Sequence, residues 1–412
     1  MSYLSIDKSN HNITALSLTS LGHFINDGSV FFFPVIADIL VEDRTFSAFY
    51  ISLLYLLFYL TATLFSFIVG GIANRFGHQG ILISAGLFLM AAGFVGFFPV
   101  VTGTGGIGGL AIAAFASVSY GAGSAFYHPM GAAIIQNRFG KNEVGKVLGM
   151  NGSAGSVGRA LYPSLLFVLA AVLSISYSLI VFAIFASIAA IIIGIGLRDS
   201  IINSSRTETG EKRVSAREAL TASVVLLGII TFVKTFASYG IVSWIPVYVS
   251  NIKGLGLSVS LGYVLTSMFI AAIIGQPIFG ILADRYDKRY VMAISSIGTA
   301  VSISLYLITS GMLGIVFLII FGFFTFSAFP LLFALISEYV SKGGSSMANA
   351  FVWGFGNQAG MALGPFFVGM LIFNSYSHLA FMFYIMAILV VVSAGLLMLL
   401  PKPSKKVRMP LF

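Results

Sequence analysis

The stretch GGIANRFG at residues 70–77 returns in altered form as GILADRYD at residues 280–287, an offset of 210. A second pair, NGSAGSVGRALYP at 151–163 and WGFGNQAGMALGP at 353–365, repeats at an offset of 202 and shares two glycines, a leucine and a proline. Two matches at nearly equal offsets are typical of an internally duplicated chain. The sequence therefore predicts two halves with the same internal organisation.

The composition predicts an all-α membrane protein. Hydrophobic residues make up 58% of the chain and charged residues only 8%, and the mean hydropathy is +1.01. Charges interrupt the chain at intervals, and the stretch between Lys342 and Lys402 has none, which leaves room for two spans. The same reading along the chain predicts twelve transmembrane helices, near 13–37, 47–72, 79–99, 108–135, 144–169, 175–197, 219–248, 257–282, 290–309, 313–337, 345–371 and 377–400.

The distribution of basic residues predicts the topology. If the N-terminus is cytoplasmic, 18 of the 22 Lys and Arg residues fall on cytoplasmic segments and two on external ones. We therefore expect a multi-pass protein of the cell membrane with both termini in the cytoplasm, and the net charge of +9 then requires no nucleic-acid partner. The polar segment 198–218 divides the chain into six-helix halves at 1–197 and 219–412, and it is interpreted as a cytoplasmic linker.

Three polar residues interrupt the first predicted span, in the stretch HFINDGSV at residues 23–30. His23, Asn26 and Asp27 are spaced to share one face of a helix. Asp27 is the acidic residue nearest the middle of any span, and ionisable groups at that depth are usually functional. Asp27 is predicted to load and release a proton, with help from His23 one turn earlier. The alternative is a permanent ion pair that braces span 1 against span 5 or 7.

A second polar stripe lies in the seventh predicted span, at Thr231, Lys234, Thr235 and Ser238, with helical spacing. Lys234 follows Asp27 by 207 residues, between the two repeat offsets. The two side chains are therefore expected at equivalent places in the two halves, facing each other across a central cavity. The alternative is a lysine whose ammonium reaches the membrane interface.

The repeated loop motifs resemble the loop signature of the major facilitator superfamily. The resemblance to this superfamily extends over the whole chain. HFIND in span 1, GSAFYHP at 123–129 and FVKTFASY at 232–239 further resemble the fosmidomycin-resistance branch of drug efflux proteins. This resemblance implies a proton-coupled exporter of small molecules that uses His23, Asn26, Asp27, His128, Pro129 and Lys234. The chain departs from the family pattern at Asn74, where the loop signature has aspartate, and at Met130, where the branch tends to have glutamate.

Further candidates follow from position. His128 is predicted to relay protons, or else to bond a carbonyl freed by a kink at Pro129. Arg159, within span 5, is either a structural counter-charge or a substrate ligand. The aromatic residues predicted to line the cavity are Tyr120, Tyr127, Tyr239 and Trp244. The residues predicted to tie cytoplasmic helix ends together during gating are Arg75, Asp284, Arg285, Arg289 and Glu338, with Glu338 pairing with Arg285 or Arg289.

These features predict a secondary active transporter that alternates access between two halves. With neutral histidines, Asp27, Arg159 and Lys234 sum to +1, which favours anionic or zwitterionic substrates, and a proton-coupled exporter is the first hypothesis. The alternatives are an importer of an organic anion or sugar, and a passive channel or lipid scramblase. No enzyme, cofactor or metal is predicted, since the sequence offers no nucleophile–base pair, metal cluster or nucleotide loop. The expected partners are a small substrate, protons and the bilayer, with the protein a monomer.

Overall fold

The computed structural model describes residues 2–42, 46–139, 143–200, 220–340, 345–372 and 375–402. Within these residues, the side chains at 2–11, 67, 70–71, 73–75, 145, 329–330, 333 and 345–346 are not described. Most of the predicted linker and the side chain of Arg75 therefore lie outside the described part. The boundary between the halves at 198–218 stays a prediction.

The chain is built almost entirely of helices. Those of the first half are α1 (Ser2–Glu42), α2 (Ala48–Phe76), α3 (Gln79–Val101), α4 (Gly106–Ser124), α5 (Tyr127–Arg138), α6 (Val144–Ala170) and α7 (Ile175–Gly196). Those of the second half are α8 (Ala222–Val247), α9 (Val259–Arg285), α10 (Lys288–Ile308), α11 (Gly311–Ser327), α12 (Phe329–Tyr339), α13 (Ser345–Phe351), α14 (Ala359–Leu371) and α15 (Leu379–Leu397). A π-helical turn extends α8 over Tyr248–Ile252, another joins α13 to α14 over Val352–Gln358, and a 3₁₀ turn at Tyr376–His378 precedes α15.

Several helices begin where the sequence offers a capping side chain. Thr221, Ser258 and Asp287 precede α8, α9 and α10, and each accepts a hydrogen bond from a backbone N–H of the first helical turn. Such caps satisfy amide groups that have no partner within the helix. The polar residues between the apolar runs therefore set where these helices start.

By length and composition, nine helical segments of the described residues are able to cross a membrane. The three predicted spans that are not among the nine correspond to α6, the pair α11–α12 and the pair α13–α14. The all-α membrane fold predicted from composition is confirmed. The count of twelve spans remains a prediction from the charge pattern.

The packing of the helices repeats between the halves. In the first half α1 packs along α6 and α7, α3 along α4 and α7, and α2 along α4. In the second half α8 packs along α14 and α15, α10 along α11 and α15, and α9 along α11. The halves meet where α6 packs on α9 and α2 on α14, with α1 against α8 between these contacts. The same neighbours recur at equivalent places, as the duplicated sequence predicts.

Spans 4 and 10 are broken at equivalent positions. The break between α4 and α5 falls at Ala125 and Phe126, and that between α11 and α12 at Ala328. Pro129 is the third residue of α5, and Pro330 the second residue of α12. A proline there cannot donate a backbone hydrogen bond to the preceding turn. The predicted kink at Pro129 is therefore observed as a break, and it redirects the residues that follow.

Glycines bring the central helices of each half into backbone contact. A Cβ at Gly158 of α6 would lie 2.1 Å from the carbonyl oxygen of Phe24 in α1, and a Cβ at Gly364 of α14 would lie 2.0 Å from that of Phe236 in α8. Neither position has room for a side chain. The glycine runs of the repeated motif therefore serve close helix contact, in both halves.

Contacts that join described residues of the two halves cluster between the middle of the bundle and the end at which α1 ends. The Tyr55 hydroxyl donates to the carbonyl of Ser243 at 2.5 Å, and the hydroxyls of Ser164 and Thr266 lie 2.5 Å apart. A Cβ at Gly369 would lie 2.5 Å from both Ser52 and Trp244. The halves are tightly joined there, and we call this end the closed end.

Candidate functional site

Asp27 lies at the centre of a cluster of four ionisable side chains. Its Oδ2 accepts a hydrogen bond from Nη1 of Arg159 at 2.9 Å and lies 3.3 Å from Nε2 of His23. Its Oδ1 lies 3.3 Å from Nε2 of His128. Asp27 is 4% exposed, whereas the His128 side chain is 58% exposed. A buried carboxylate is thus connected through an imidazole to the surface of the protein.

Local structure explains why these side chains meet. His23 precedes Asp27 by one turn of α1, so both lie on one face. His128 is the second residue of α5 and reaches α1 because the chain breaks just before it. Arg159 lies on α6, which Gly158 allows to approach α1 directly. The sequence predicted His23, Asp27 and His128 as one proton-coupling set, and the structure brings them together.

Asn151 fixes the orientation of His23. Its Oδ1 lies 2.9 Å from Nδ1 of His23 and accepts a hydrogen bond from the hydroxyl of Tyr127 at 3.0 Å. Because this oxygen is an acceptor, Nδ1 of His23 carries the hydrogen in both protonation states. Nε2 then presents a lone pair to Asp27 when His23 is neutral and a hydrogen when it is charged. Proton uptake therefore strengthens the contact between His23 and Asp27.

Two polar atoms beside the cluster are buried without a hydrogen-bond partner among the described residues. They are Oδ1 of Asn26, whose Nδ2 donates to Asp27 at 3.2 Å, and Nε of Arg159, whose Nη2 donates to Ser156 at 2.6 Å. Buried polar atoms are rarely left unpaired. Asn26 was predicted to line the substrate cavity, and Arg159 to be either a structural counter-charge or a substrate ligand. Each retains unused hydrogen-bonding capacity beside Asp27.

Aromatic rings cover the cluster on the side of the closed end. Phe31 lies under the guanidinium of Arg159, with 5.4 Å from Cζ to the ring centre, and its ring is 6.1 Å from that of Tyr239 in the other half. Phe269 and Phe326 pack on Phe31 at 5.3 and 5.5 Å. Tyr59 completes the set at 6.1 Å from Tyr239. We call these five residues the aromatic plug; it includes Tyr239, one of the predicted cavity residues.

Lys234 is buried in its own half. It is 8% exposed, and its Nζ donates to the hydroxyl of Ser295 on α10 at 3.2 Å. Among the described residues no carboxylate pairs with it, and the structure shows no contact between Lys234 and Asp27. Lys234 and Asp27 were predicted to face each other across a cavity, and no contact between them is observed. The partner of Asp27 is Arg159 of span 5, one of the two spans considered for a counter-charge. The repeat offset placed Lys234 on the equivalent helix but could not show which neighbour its side chain reaches.

The rest of the α8 stripe packs against span 11. Thr231 donates to the carbonyl of Leu227 in its own helix, and Thr235 donates to Oδ1 of Asn357 at 3.2 Å. Ser238 has a buried hydroxyl with no partner among the described residues. The stripe is therefore a polar layer within the second half, with Lys234 and Ser238 retaining capacity for a ligand.

Two predicted cavity aromatics belong to the packed interior. Tyr120 and Trp244 are 0% exposed. Tyr120 donates to the carbonyl of Ser29 and Trp244 to that of Pro365, both at 2.9 Å. Their polar atoms hold helices together, so the prediction that they stack on a ligand is corrected. Tyr127 lies inside the network around Asn151.

The gating residues pair differently from the prediction. Glu338 forms its ion pair with Lys288, not with Arg285 or Arg289. Arg289 donates to Asp287 at 2.6 Å and to the carbonyl of Leu400. The hydrogen bond from Arg289 holds the pKa of Asp287 below its usual range. Asp284 and Arg285 are exposed and form no ion pair within the described part of the chain.

The cluster has the geometry for holding a small cation as well as a proton. One ligand atom from each of His23, Asp27 and His128 lies within 4.8 Å of the others. The guanidinium of Arg159 already occupies one oxygen of this carboxylate, and its charge opposes a divalent ion there. The position of Arg159 therefore makes a divalent ion unfavourable at this carboxylate.

Sequence reasoning missed Asn151, Ser295 and Phe31. Asn151 precedes Arg159 by eight residues in the repeated NGSAGSVGR stretch, so the helical spacing 151, 155, 159 was available as a signal. Ser295 and Phe31 carry no such pattern. Their roles depend on the reach of the Lys234 side chain from α8 to α10 and on the packing of α1 against the second half.

Comparison with known proteins gives a family match over most of the chain. The model of the major facilitator superfamily matches residues 19–265 and 255–410. A cis,cis-muconate transport protein of Acinetobacter baylyi is 30% identical over 89 residues, 21% of each chain. A putative niacin/nicotinamide transporter, NiaP, of Bacillus subtilis is 26% identical over 205 residues, 47% of this chain and 48% of that one. Both alignments therefore span less than half of the relative.

Solved structures share the fold at low sequence identity. A point mutant of the nucleoside transporter NupG has a TM-score of 0.80 at 14% identity, covering 95% of this chain and all of that one. The xylose transporter XylE from E. coli, in an inward-open conformation, has a TM-score of 0.73 at 12% identity, covering 96% and 97%. These similarities establish the architecture and leave the substrate open.

Proposed function

Since this chain belongs to the major facilitator superfamily and is a membrane transporter, we propose that it couples the movement of small organic anions to protons. The observation that carries this proposal is the pairing of Asp27 with Arg159 beside two imidazoles. A carboxylate, a guanidinium and a proton acceptor share one buried contact, so the charge state of the cluster decides whether the guanidinium is free.

The first step is the release of Arg159. A proton that enters the cluster, on the carboxylate or on either imidazole, weakens the hold of Asp27 on Arg159. On Asp27 it removes the negative charge; on His23 or His128 it supplies a competing cation. The exposed imidazole of His128 gives protons a route to the buried carboxylate. Arg159, whose Nε has no partner among the residues that the structure describes, then becomes available to another anion.

The charges of the site indicate the substrate class. Arg159 and Lys234 are two largely buried cations, and among the described residues Asp27 is the one carboxylate that pairs with either of them. The ammonium of Lys234 carries three donors, of which one is used by Ser295. Buried charge without a counter-charge is costly, so an anionic substrate group is favoured over a neutral one. The name of one relative refers to muconate, a dicarboxylate, and supports this class, whereas the name of the other refers both to niacin, a carboxylate, and to nicotinamide, a neutral amide.

The release of Arg159 also determines the sign of the coupling between proton and substrate. If protonation frees an arginine that binds an anion, proton and anion bind cooperatively and travel in the same direction. A coupling free energy of about 1–3 kcal/mol is sufficient to bias such an equilibrium. Symport of this kind drives uptake when the outside is acidic. The proposed activity is therefore import of an organic anion, the alternative considered in the sequence analysis.

Export by proton antiport is the second candidate, and the resemblance to the fosmidomycin-resistance branch motivates it. Antiport requires that substrate and proton compete for the same binding site. A substrate with a cationic group would do so at Asp27, where Oδ1 faces the exposed His128. An export substrate is thus expected to be a cation or zwitterion, whereas an import substrate is an anion.

The proposed orientation follows from the closed end. With the N-terminus in the cytoplasm, as the positive-inside rule predicts, α1 ends on the outside. The closed end and the aromatic plug then seal the external side, and His128 opens to the cytoplasm. We propose that the structure represents an inward-facing state of a monomer in the cell membrane.

Niacin and nicotinamide make a matched pair of probes, because they share a ring and differ in carrying a carboxylate or a neutral amide. The experiment is uptake of each into proteoliposomes with and without an acidic exterior. Accumulation of the anion driven by the pH gradient supports the proposal. Equal transport of both compounds contradicts the anion preference, and extrusion of solute against proton entry replaces symport with antiport.

A further inference from the structure

A second buried carboxylate lies where the two halves join at the closed end. Asp38, near the end of α1, is 0% exposed. Its Oδ1 accepts a hydrogen bond from the hydroxyl of Ser250 at 2.6 Å and another from Nδ2 of Asn251 at 3.4 Å. Both partners belong to the π-helical turn that extends α8. A carboxylate of the first half is therefore bound by side chains of the second half.

The surroundings of Asp38 offer no positive charge within the described residues. Its Oδ2 is buried and has no hydrogen-bond partner in the described part of the chain. The titratable groups that face it are Glu42 on its own helix, Tyr55 on α2 and Tyr376 before α15, none of them a cation. The ammonium of Lys253, two residues after Asn251, donates to the carbonyl of Thr309 at 2.6 Å. An ionised Asp38 would be an isolated charge in an apolar interface.

We infer that Asp38 is a second proton-binding site of this transporter, and that its protonation is required to close the external side. Burial of an isolated charge is strongly unfavourable, whereas a neutral carboxyl group retains its bonds to Ser250 and Asn251. Opening of the closed end exposes Asp38 to water, where the ionised form is well solvated. Closure is therefore linked to uptake of one proton from the outside.

This role differs from that of the Asp27 cluster. In the proposed function Asp27 exchanges a proton for the arginine that holds substrate, whereas Asp38 contacts no cation among the described residues and lies where the two halves join. Linkage of one proton to closure changes the ratio of open to closed molecules by up to about tenfold per pH unit. External acidity would then favour the inward-facing state, with or without substrate.

The test measures distances across the closed end. Because the chain has no cysteine, Ile107→Cys and Met312→Cys place two spin labels without background. Ile107 and Met312 lie in the first turns of α4 and α11 and are 89% and 76% exposed. Distance distributions from double electron–electron resonance in nanodiscs, measured over a pH series, give the fraction of molecules in which the closed end has opened. An Asp27→Asn background removes the carboxylate of the central cluster.

In that background the open fraction should rise with pH, and addition of Asp38→Asn should abolish the rise. Glu42→Gln, one turn further along α1, is the matched control and should preserve it. Ser250→Ala in the otherwise unaltered labelled protein should increase the open fraction at every pH while the pH response remains. An unchanged pH response with Asp38→Asn would overturn the inference, as would Ser250→Ala without effect on the distances. Anion accumulation is measured separately, so either result leaves the coupling proposed at Asp27 open to its own test.

Discussion

A single methyl group on α6 should disturb the Asp27 cluster without altering any of its polar groups. A Cβ at Gly155 would lie 2.5 Å from Cδ2 and Nε2 of His23 and 2.9 Å from Oδ2 of Asp27. Ordinary van der Waals contact begins at 3.4 Å, so the imidazole must retreat by nearly 1 Å. Asn151 holds the imidazole by its other nitrogen at 2.9 Å, which restricts that retreat. The added methyl group of Gly155→Ala is therefore expected to push the His23 imidazole away from Asp27.

Gly152→Ala on the same helix is the matched control, because a Cβ there would meet no atom within 4 Å. Both substitutions gain about 1 kcal/mol of helix propensity. Their difference therefore isolates the overpacking at residue 155, which is expected to cost about 1–3 kcal/mol.

Two assays measure the effect. Reversible unfolding in detergent should show Gly155→Ala less stable than Gly152→Ala by that amount, and proteoliposomes should show weaker pH-driven accumulation for Gly155→Ala alone. If the two variants have the same free energy of unfolding and accumulate substrate equally, the close contact between α6 and His23 does not organise the cluster.

Three further predictions concern other side chains. Lys234→Ala should weaken niacin binding on the order of 10- to 100-fold and leave nicotinamide nearly unaffected, because a charge-assisted hydrogen bond contributes about 1.5–3 kcal/mol; equal losses in calorimetry would make Lys234 structural. Asn151→Ala should release His23 and flatten the pH response of uptake while niacin affinity is retained, and an unchanged pH profile would show that His23 needs no such anchor. Asp287→Asn should lower the melting temperature at neutral pH, because Arg289 lowers the pKa of Asp287 and the pair is stabilising above the ordinary aspartate range. That difference should vanish as the pH falls through the lowered pKa, and a pH-independent difference would contradict the ion-pair explanation.

The architecture was largely predictable because it depends on periodic and repeated features. Apolar runs gave the helices, and the repeats at 70–77 and 280–287 gave the duplication. Pro129 gave the break in span 4, since the loss of a backbone donor is a local property. His23 and Asp27 share a face for the same local reason.

The partners of the charged residues were harder to predict, because they depend on which faces pack together. The repeat placed Lys234 opposite Asp27, and an ion pair with span 5 or span 7 remained open. The structure pairs Asp27 with Arg159 of span 5 and directs Lys234 to Ser295. Asp38 was not among the predicted site residues. It is buried because the π-helical turn of the other half covers it, and no spacing along α1 indicates that contact.

The central claim is that protonation at Asp27 drives substrate movement by releasing Arg159. The most direct measurement compares Asp27→Asn with the unaltered protein in proteoliposomes, for both exchange and pH-driven accumulation of the same anion. Asp199→Asn, at a carboxylate 86% exposed, is the control. Arg159 remains permanently available when residue 27 is neutral, so Asp27→Asn should bind the anion and exchange it across the membrane but should no longer concentrate it. Accumulation by Asp27→Asn at the unaltered rate would show that Asp27 is only an internal brace.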